Sequence, residues 1–327
     1  MEQFFLCPQC HAEMILPHCT RCGYNIPQID SVWYFCKDEN MKLEGEDQYI
    51  GYDAIGENFE PEIFLWDTNR VKRYGVYDAC CDLLVEQFGT DITVLDLGAG
   101  LGTASIPLAK KGIYTIAADI SAVMLTTAAK RAREELNNLI LARMNAYQIM
   151  LPDNSVDIVV INALLHLVEN PTKIINEIRR VLKPNGRLVC FNSYSLPLSE
   201  EELKQNRYCN AVLSDISEKY YQYLTDQNYK SLFFDNHFQN IILNHFHQPY
   251  HVKSRDFVEI FTDKMKFRLH RLKTGAHSDL QGIPKHILNA AWEEANSYAK
   301  EKYGDDYMDI KGFSKYGAEI EIYSMQL

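Results

Sequence analysis

Between residues 92 and 192 apolar positions fall into short, mostly continuous runs, most of them followed by a stretch in which they recur every three or four residues. Runs of this length predict strands buried on both faces, here at 92–97, 113–119, 139–143, 156–162 and 187–192. The intervening segments predict helices at 103–111, 121–136 and 171–182, and a further helix at 71–88 leads into the first strand. On that helix Val76, Ala79, Cys80, Leu83 and Leu84 share a face, so Cys80 and its neighbour Cys81 are read as packing residues. Lys183-Pro184-Asn185-Gly186 closes the last helix, because Pro184 cannot continue it, and Gly186 is expected to take a left-handed turn. Strand and helix in strict alternation predict an α/β domain, a parallel sheet with helices on both faces. Residues 193–327 are less regular. A sixth strand is expected at 238–246, a closing strand at 318–325, and helices near 254–272 and 284–303. Together 193–237 and 247–317 read as a cap inserted on the sheet.

The first strand ends in Asp96-Leu97-Gly98-Ala99-Gly100-Leu101-Gly102-Thr103. Glycines between a strand and a helix let backbone come close to a ligand. A dinucleotide fingerprint needs glycine where Thr103 stands, and a P-loop needs a Gly-Lys-Ser/Thr triplet that the chain lacks there. The second strand ends in Asp119-Ile120-Ser121, and its carboxylate is placed to accept ribose hydroxyls, which suits NAD as well as other ribose-bearing cofactors and so does not discriminate. Ser121-Ala122-Val123-Met124-Leu125, Leu151-Pro152-Asp153-Asn154-Ser155-Val156-Asp157 and Val181-Leu182-Lys183-Pro184-Asn185-Gly186-Arg187-Leu188 complete the set.

In these runs the chain resembles the class I S-adenosylmethionine (SAM) methyltransferases of the ubiquinone/menaquinone-biosynthesis-like (methyltransferase type 11) family. The resemblance covers about residues 70–192. It implies a Rossmann-like seven-stranded class I methyltransferase sheet and a SAM site built from Asp96, Gly98, Ala99, Gly100, Gly102, Asp119, Ile120, Met124, Asn145, Ala146 and Asn162. Asn145 departs from the family, which usually has Asp there to accept from the adenine amino group; Asn can still accept through its carbonyl oxygen. Tyr52, in a Tyr-Asp pair ahead of the core, corresponds by resemblance to a lid residue over the cofactor. His166, past the fourth strand, is the candidate general base for a nucleophile that must lose a proton.

Ahead of this domain stand Cys7-Pro8-Gln9-Cys10 and Cys19-Thr20-Arg21-Cys22. Each pair points two thiolates at one ion, and two pairs complete the four-sulfur tetrahedron that zinc prefers and iron also accepts. This resembles a zinc-ribbon or rubredoxin-type module over 1–36, structural in role and expected to fold around its metal independently of the larger domain. Residues 37–69 read as an acidic linker and lid segment, and 70–327 as the methyltransferase domain with its cap. Of nine cysteines, the other five are scattered, without a disulfide pattern.

The chain of 327 residues carries a formal charge of −11, unevenly placed. Residues 37–70 hold ten acids against three bases, whereas 251–275 hold seven bases against three acids. An acidic front half is poor equipment for a phosphate backbone. No apolar run reaches membrane-spanning length and no basic leader precedes the ribbon, which argues for the cytoplasm and no membrane partner. The first expectation is therefore methyl transfer to a small-molecule acceptor. An rRNA (guanine-type) methyltransferase with ribbon-mediated RNA recognition is the second. A non-catalytic SAM-binding interaction protein is the alternative of another class. The fourth strand is not followed by N/D-P-P-Y, the signature for exocyclic amines, nor by the Pro-Cys of covalent cytosine-C5 methylation. An acceptor pocket is expected between the cap, rich in Tyr and His, and the 162–166 turn, with 49–66 closing over it.

Overall fold

The computed structural model describes residues 4–36, 75–132, 136–229, 238–255, 259–275, 278–280 and 283–326. The linker at 37–69, the 49–66 segment and Tyr52 lie outside the described residues. In chain order the ribbon contributes β1 (Phe5–Leu6), β2 (Glu13–Met14), β3 (Gln28–Ile29) and β4 (Val32–Tyr34). The core comes next as α1 (Val76–Phe88), β5 (Thr93–Leu97), α2 (Ser105–Lys110), β6 (Tyr114–Asp119), α3 (Ala122–Ala132), β7 (Leu139–Arg143), β8 (Val156–Ile161), α4 (Pro171–Val181) and β9 (Leu182–Ser195). Then come α5 (Glu200–Asp226), α6 (Phe238–Leu243), β10 (Tyr250–Lys253), β11 (Glu259–Lys264), α7 (Met265–Arg268), α8 (His270–Thr274), α9 (Lys285–Tyr303) and β12 (Lys311–Ser324).

Seven strands run in the order β7-β6-β5-β8-β9-β12-β10. Neighbours from β7 to β9 pair in parallel, and β12 runs antiparallel to both β9 and β10. This is the expected Rossmann-like sheet, and chain order reverses between β5 and β8, where such sheets bind ligands. Strand β5 is buried along its whole length. Leu95 and Leu97 pack into the core that includes α4, while Val94 packs into the core that includes α1. The two faces of one strand serve two cores. On α4, Ile174, Ile175, Ile178 and Val181 form the buried face, and Pro171 opens the helix behind Asn170, whose side chain accepts from Lys173 N.

Three expectations are corrected. The segment at 238–246 is not a strand. Phe238, Ile241, Ile242 and Phe246 recur at helical spacing, and the chain forms α6, with Ile242 and Phe246 buried. The sixth strand of the sheet is β10 instead. The second correction is at 254–272, where β11 precedes the short helices α7 and α8; Ile260 and Thr262, β-branched and two apart, favour extended chain. The third concerns Gly186, which does not take a left-handed turn, because Leu182 is already extended (φ −68°, ψ 133°) and β9 begins there without a turn. Glycine is needed at 186 for another reason. A Cβ there would lie 2.9 Å from Lys183 O and 3.0 Å from Asp157 O, which are backbone atoms that cannot swing aside.

A separate apolar cluster gathers α5, α7, α8 and α9. A capping box, with Ser199 N donating to Glu202 Oε2 (2.7 Å) and Glu202 N to Ser199 Oγ (3.3 Å), starts the 27-residue α5. Its buried line Cys209, Val212, Ile216, Tyr220 and Leu224 meets Leu288, Ala291, Trp292, Ala295 and Ala299 of α9.

The ribbon is not a separate bead. Its β4 adds to the outer edge of the sheet in parallel, with Val32 opposite Leu141, Trp33 opposite Ala142 and Tyr34 opposite Arg143. Phe5, Cys7, Met14, Cys19, Ile26 and Phe35 are buried in the same apolar cluster as Leu95, Leu97, Ile149 and Met150.

Replacing Gly186 by Ala should destabilise the chain by about 1–3 kcal/mol, the usual cost of overpacking, although the backbone angles at 186 suit alanine. Urea denaturation followed by circular dichroism reads this; an unchanged midpoint would show that β9 and Asp157 can part at little cost.

Candidate cofactor and metal sites

The glycine turn is held by the end of the neighbouring strand. Gly98 N and Ala99 N both donate to Ala118 O, at 2.8 and 3.0 Å. Gly100 N donates to Asp119 Oδ2 at 2.8 Å, and Ser121 N donates to Oδ1 of the same carboxylate at 2.8 Å. One carboxylate thus fixes both walls of the strand-end opening. A carboxylate offers about four acceptor positions, and these two bonds use one on each oxygen. Gly98, Gly100 and Gly102 all have positive φ. At Gly100 (φ +51°) a Cβ would lie 3.0 Å from Met124 Cε, so the turn and the methionine close on one another. Met124 is itself placed by its N–H, which donates to Ser121 Oγ at 3.1 Å.

Asp96 lies beneath the turn at 2% exposure. Its Oδ2 accepts from Ser105 N at 3.0 Å, which seats the start of α2. Burial pushes its pKa up to about 7, opposed by the hydrogen bonds from Ser105 and reinforced by the nearby Asp119 charge.

The other expected residues among those described stand just past the ends of neighbouring strands and bond within the fold. Asn145 Oδ1 accepts from Tyr147 N at 2.9 Å, so the oxygen expected to meet adenine also closes a local turn. Ala146 is partly buried beside it. Asn162 Oδ1 accepts from Phe191 N at 3.0 Å and ties the end of β8 to β9. The next residues bend back over the glycines: Ala163 has φ 51°, and Leu164 Cδ1 would stand 3.1 Å from a Cβ on Gly98. His166 lies in the short turn Leu165–Leu167, exposed, with its pKa lowered by partial desolvation. Ile120 O accepts from Arg143 Nε at 3.0 Å. Sequence reasoning missed Arg143, whose 7% exposure marks a charge held inside the fold; an arginine closing an apolar strand run was the available signal.

Among the described residues, most Tyr and His side chains expected to line the acceptor pocket are engaged elsewhere. Tyr220, Tyr221, Tyr223 and Tyr229 pack into the cluster around α5 and α9. Tyr194 donates to Ser254 O (3.1 Å), His245 Nδ1 meets Arg179 Nη1 (3.3 Å), His251 pairs with Glu319 (3.2 Å), and Tyr208 is exposed. His237 lies outside the described residues.

In the ribbon, the sulfurs of Cys7, Cys10, Cys19 and Cys22 lie within 4.8 Å of one another, with Cys7–Cys22 at 3.5 Å and Cys10–Cys19 at 3.6 Å. Metal–sulfur bonds of about 2.3 Å in a tetrahedron put sulfurs roughly 3.8 Å apart, so the cluster has the dimensions of a metal site. The two knuckles match. His11 N donates to Cys7 O and Gly23 N to Cys19 O, both at 2.9 Å, and both residues have positive φ. The four thiols interact closely: the backbone N–H of Cys22 is the largest influence holding the Cys19 thiol down to about 6, while at Cys22 the backbone N–H of Tyr24 is outweighed by burial and the neighbouring sulfurs, which push that thiol up to about 12.

Residues 95–190 match the family model described as a methyltransferase domain. Demethylmenaquinone methyltransferase of Clavibacter sepedonicus is 37% identical over 107 residues, covering 32% of this chain and 43% of that protein. The tRNA 5-carboxymethoxyuridine methyltransferase of Escherichia coli (strain K12) is 26% identical over 150 residues, covering 44% of this chain and 58% of that protein. Each alignment therefore leaves a large part of both proteins unmatched. Among solved structures, a SAM-dependent methyltransferase from Aquifex aeolicus aligns with 26% identity and a TM-score of 0.34, over 44% of this chain and 78% of that one.

Asp96 should make the chain less stable as pH rises. A carboxyl whose pKa is near 4 unfolded and about 7 folded contributes stability below the lower value and loses it through the upper one. Asp96→Asn should therefore show a smaller fall in urea midpoint than the parent between about pH 5 and pH 8. Equal falls would mean that Asp96 ionises in the folded state as it does in water.

Proposed function

We propose, from the methyltransferase domain that residues 95–190 carry, that the protein binds SAM at the β5–β6 strand ends and transfers its methyl group to a small-molecule acceptor. The observation that carries this reading is the glycine turn clamped to Asp119 at the point where chain order reverses. SAM supplies a sulfonium methyl that is already electrophilic, so the protein's part is to hold a nucleophile in line with it. Asp119 takes the ribose hydroxyls. The turn at Gly98, Gly100 and Gly102 admits the cofactor close to backbone, Met124 and Ile120 flank the adenine, and Asn145 and Ala146 close its far side. Asn162 anchors the turn that presents His166. A lowered pKa keeps that imidazole neutral near pH 7, the form that accepts a proton from an acceptor needing deprotonation. The demethylmenaquinone methyltransferase similarity favours a small aromatic or quinone-like acceptor.

An RNA acceptor is the second reading, favoured by the tRNA methyltransferase similarity and the basic stretch at 251–275. Consumption of labelled SAM with a metabolite extract, against an RNA fraction, separates the two. Consumption with RNA alone would overturn the small-molecule reading. Binding of S-adenosylhomocysteine (SAH), the product, without turnover on either would favour the interaction-protein alternative.

We also assign zinc to Cys7, Cys10, Cys19 and Cys22, a closed four-sulfur site and hence structural.

Calorimetry with SAH should show Asp119→Ala weakened by about 1–3 kcal/mol, the range for losing a charged acceptor. Gly100→Val should abolish binding, since the side chain enters space already bounded by Met124. Unchanged affinity in Asp119→Ala would remove the second strand end from the site. Elemental analysis of protein purified without chelator should return about one zinc per chain, lost in Cys19→Ser; iron in its place would change the metal, and no metal would sink the assignment.

A further inference from the structure

We infer that Arg143 is a positioning residue for the cofactor site, and that through it the four-cysteine knuckle and SAM bind cooperatively. The inference rests on the proposed SAM and metal sites.

The ribbon leaves its metal knuckles along β4 and grips the end of β7. Tyr34 stands opposite Arg143, Phe35 N donates to Arg143 O at 3.0 Å, and Cys36 Sγ approaches the same carbonyl at 3.6 Å. A second tie is Leu6 N donating to Met150 O at 2.9 Å, one residue before the buried Cys7. The Arg143 side chain turns this grip toward the cofactor. Its guanidinium lies over the Tyr34 ring, 5.2 Å from the centroid, and its Nε donates to Ile120 O at 3.0 Å. Ile120 sits between the two residues that define the carboxylate clamp, Asp119 with its two oxygens and Ser121 with the N–H that binds Oδ1. Met144 N, next along from Arg143, donates to Asp119 O at 2.9 Å. The path from a zinc ligand to the ribose acceptor thus runs through the ribbon strand, one stacked guanidinium and one peptide.

Each link has a physical consequence. Metal binding in so small a unit is folding free energy for that unit, so its loss frees β4 and the Tyr34 ring. Without the ring beneath it, Arg143 loses a partner that holds the plane of its fork. The Ile120 carbonyl then loses a charged donor, and the turn carrying Asp119 samples more conformations. Whatever zinc does to SAM affinity, SAM must do to zinc affinity by the same factor. Lysine cannot substitute, since it has neither a planar face for Tyr34 nor a fixed Nε–H.

The test uses the full chain and two binding measurements. SAH affinity is read by calorimetry on zinc-loaded and chelator-stripped protein. Zinc affinity is read by competition with a chromophoric chelator, with and without SAH. In the parent protein zinc should tighten SAH on the order of tenfold, and SAH should tighten zinc equally. In Arg143→Met, Arg143→Lys and, as an independent break in the path, Tyr34→Leu, both ligands should still bind while the factor falls toward one. Coupling retained in these variants, or absent from the parent while both ligands bind, overturns the positioning role and leaves the SAM site standing. A parent that binds no SAH overturns this inference together with the reading it rests on.

Discussion

Three consecutive backbone N–H groups at the mouth of the sheet need acceptors, and the end of a single neighbouring strand provides all of them. Gly98 and Ala99 share the Ala118 carbonyl, and Gly100 takes the Asp119 carboxylate. An unpaired N–H in this half-buried place would cost as much as a lost hydrogen bond or more. The turn therefore has one arrangement, and the rest of the opening is built against it. Met124 closes on Gly100, Leu164 closes on Gly98, and Asp96 below seats α2. The carboxylate of Asp119 holds the turn and the start of the next helix together, so this corner of the sheet is organised without a ligand.

The core was legible from residues 92 to 192 because both faces of its strands are largely buried, which leaves runs of mostly apolar residues. The closing strand was legible for a different reason, the alternation Ala318-Glu319-Ile320-Glu321-Ile322, whose apolar members are the buried ones. The failures have separate causes. At 238–246 a short apolar segment fitted either element, and the i, i+3, i+4, i+8 spacing of Phe238, Ile241, Ile242 and Phe246 was the deciding signal. Helix α5 announced itself only through Ser199 and Glu202, since its buried line carries Cys209 and Tyr220 among aliphatics. Gly186 was read as a turn residue when its service is to let backbone pass close to backbone.

At the site, motif reading named residues at the ends of neighbouring strands, yet it could not see their structural employment. Asn145 and Asn162 spend side-chain oxygens on Tyr147 N and Phe191 N. The four cysteines were readable from spacing alone, because a knuckle is a local object. That the ribbon would join the sheet was not readable, because strand pairing across distant residues leaves no periodic mark. Only Val32, Trp33 and Tyr34 carry it, and three residues suit many settings.

That junction bears on how the chain is made. The ribbon leaves the ribosome before the core, and the edge onto which Val32 pairs, at Leu141, is synthesised only after β5 and β6. Until then the ribbon has no sheet to join, and such non-local pairing is slow to form. The knuckles need no such wait, since Cys7 to Cys22 emerge together. A metal captured at that stage would hold the nascent ribbon compact, with its apolar residues withheld from wrong partners, until its docking edge exists. Depletion of metal would then show itself during synthesis, as chains that misfold before they are complete, while finished molecules tolerate the same depletion far longer.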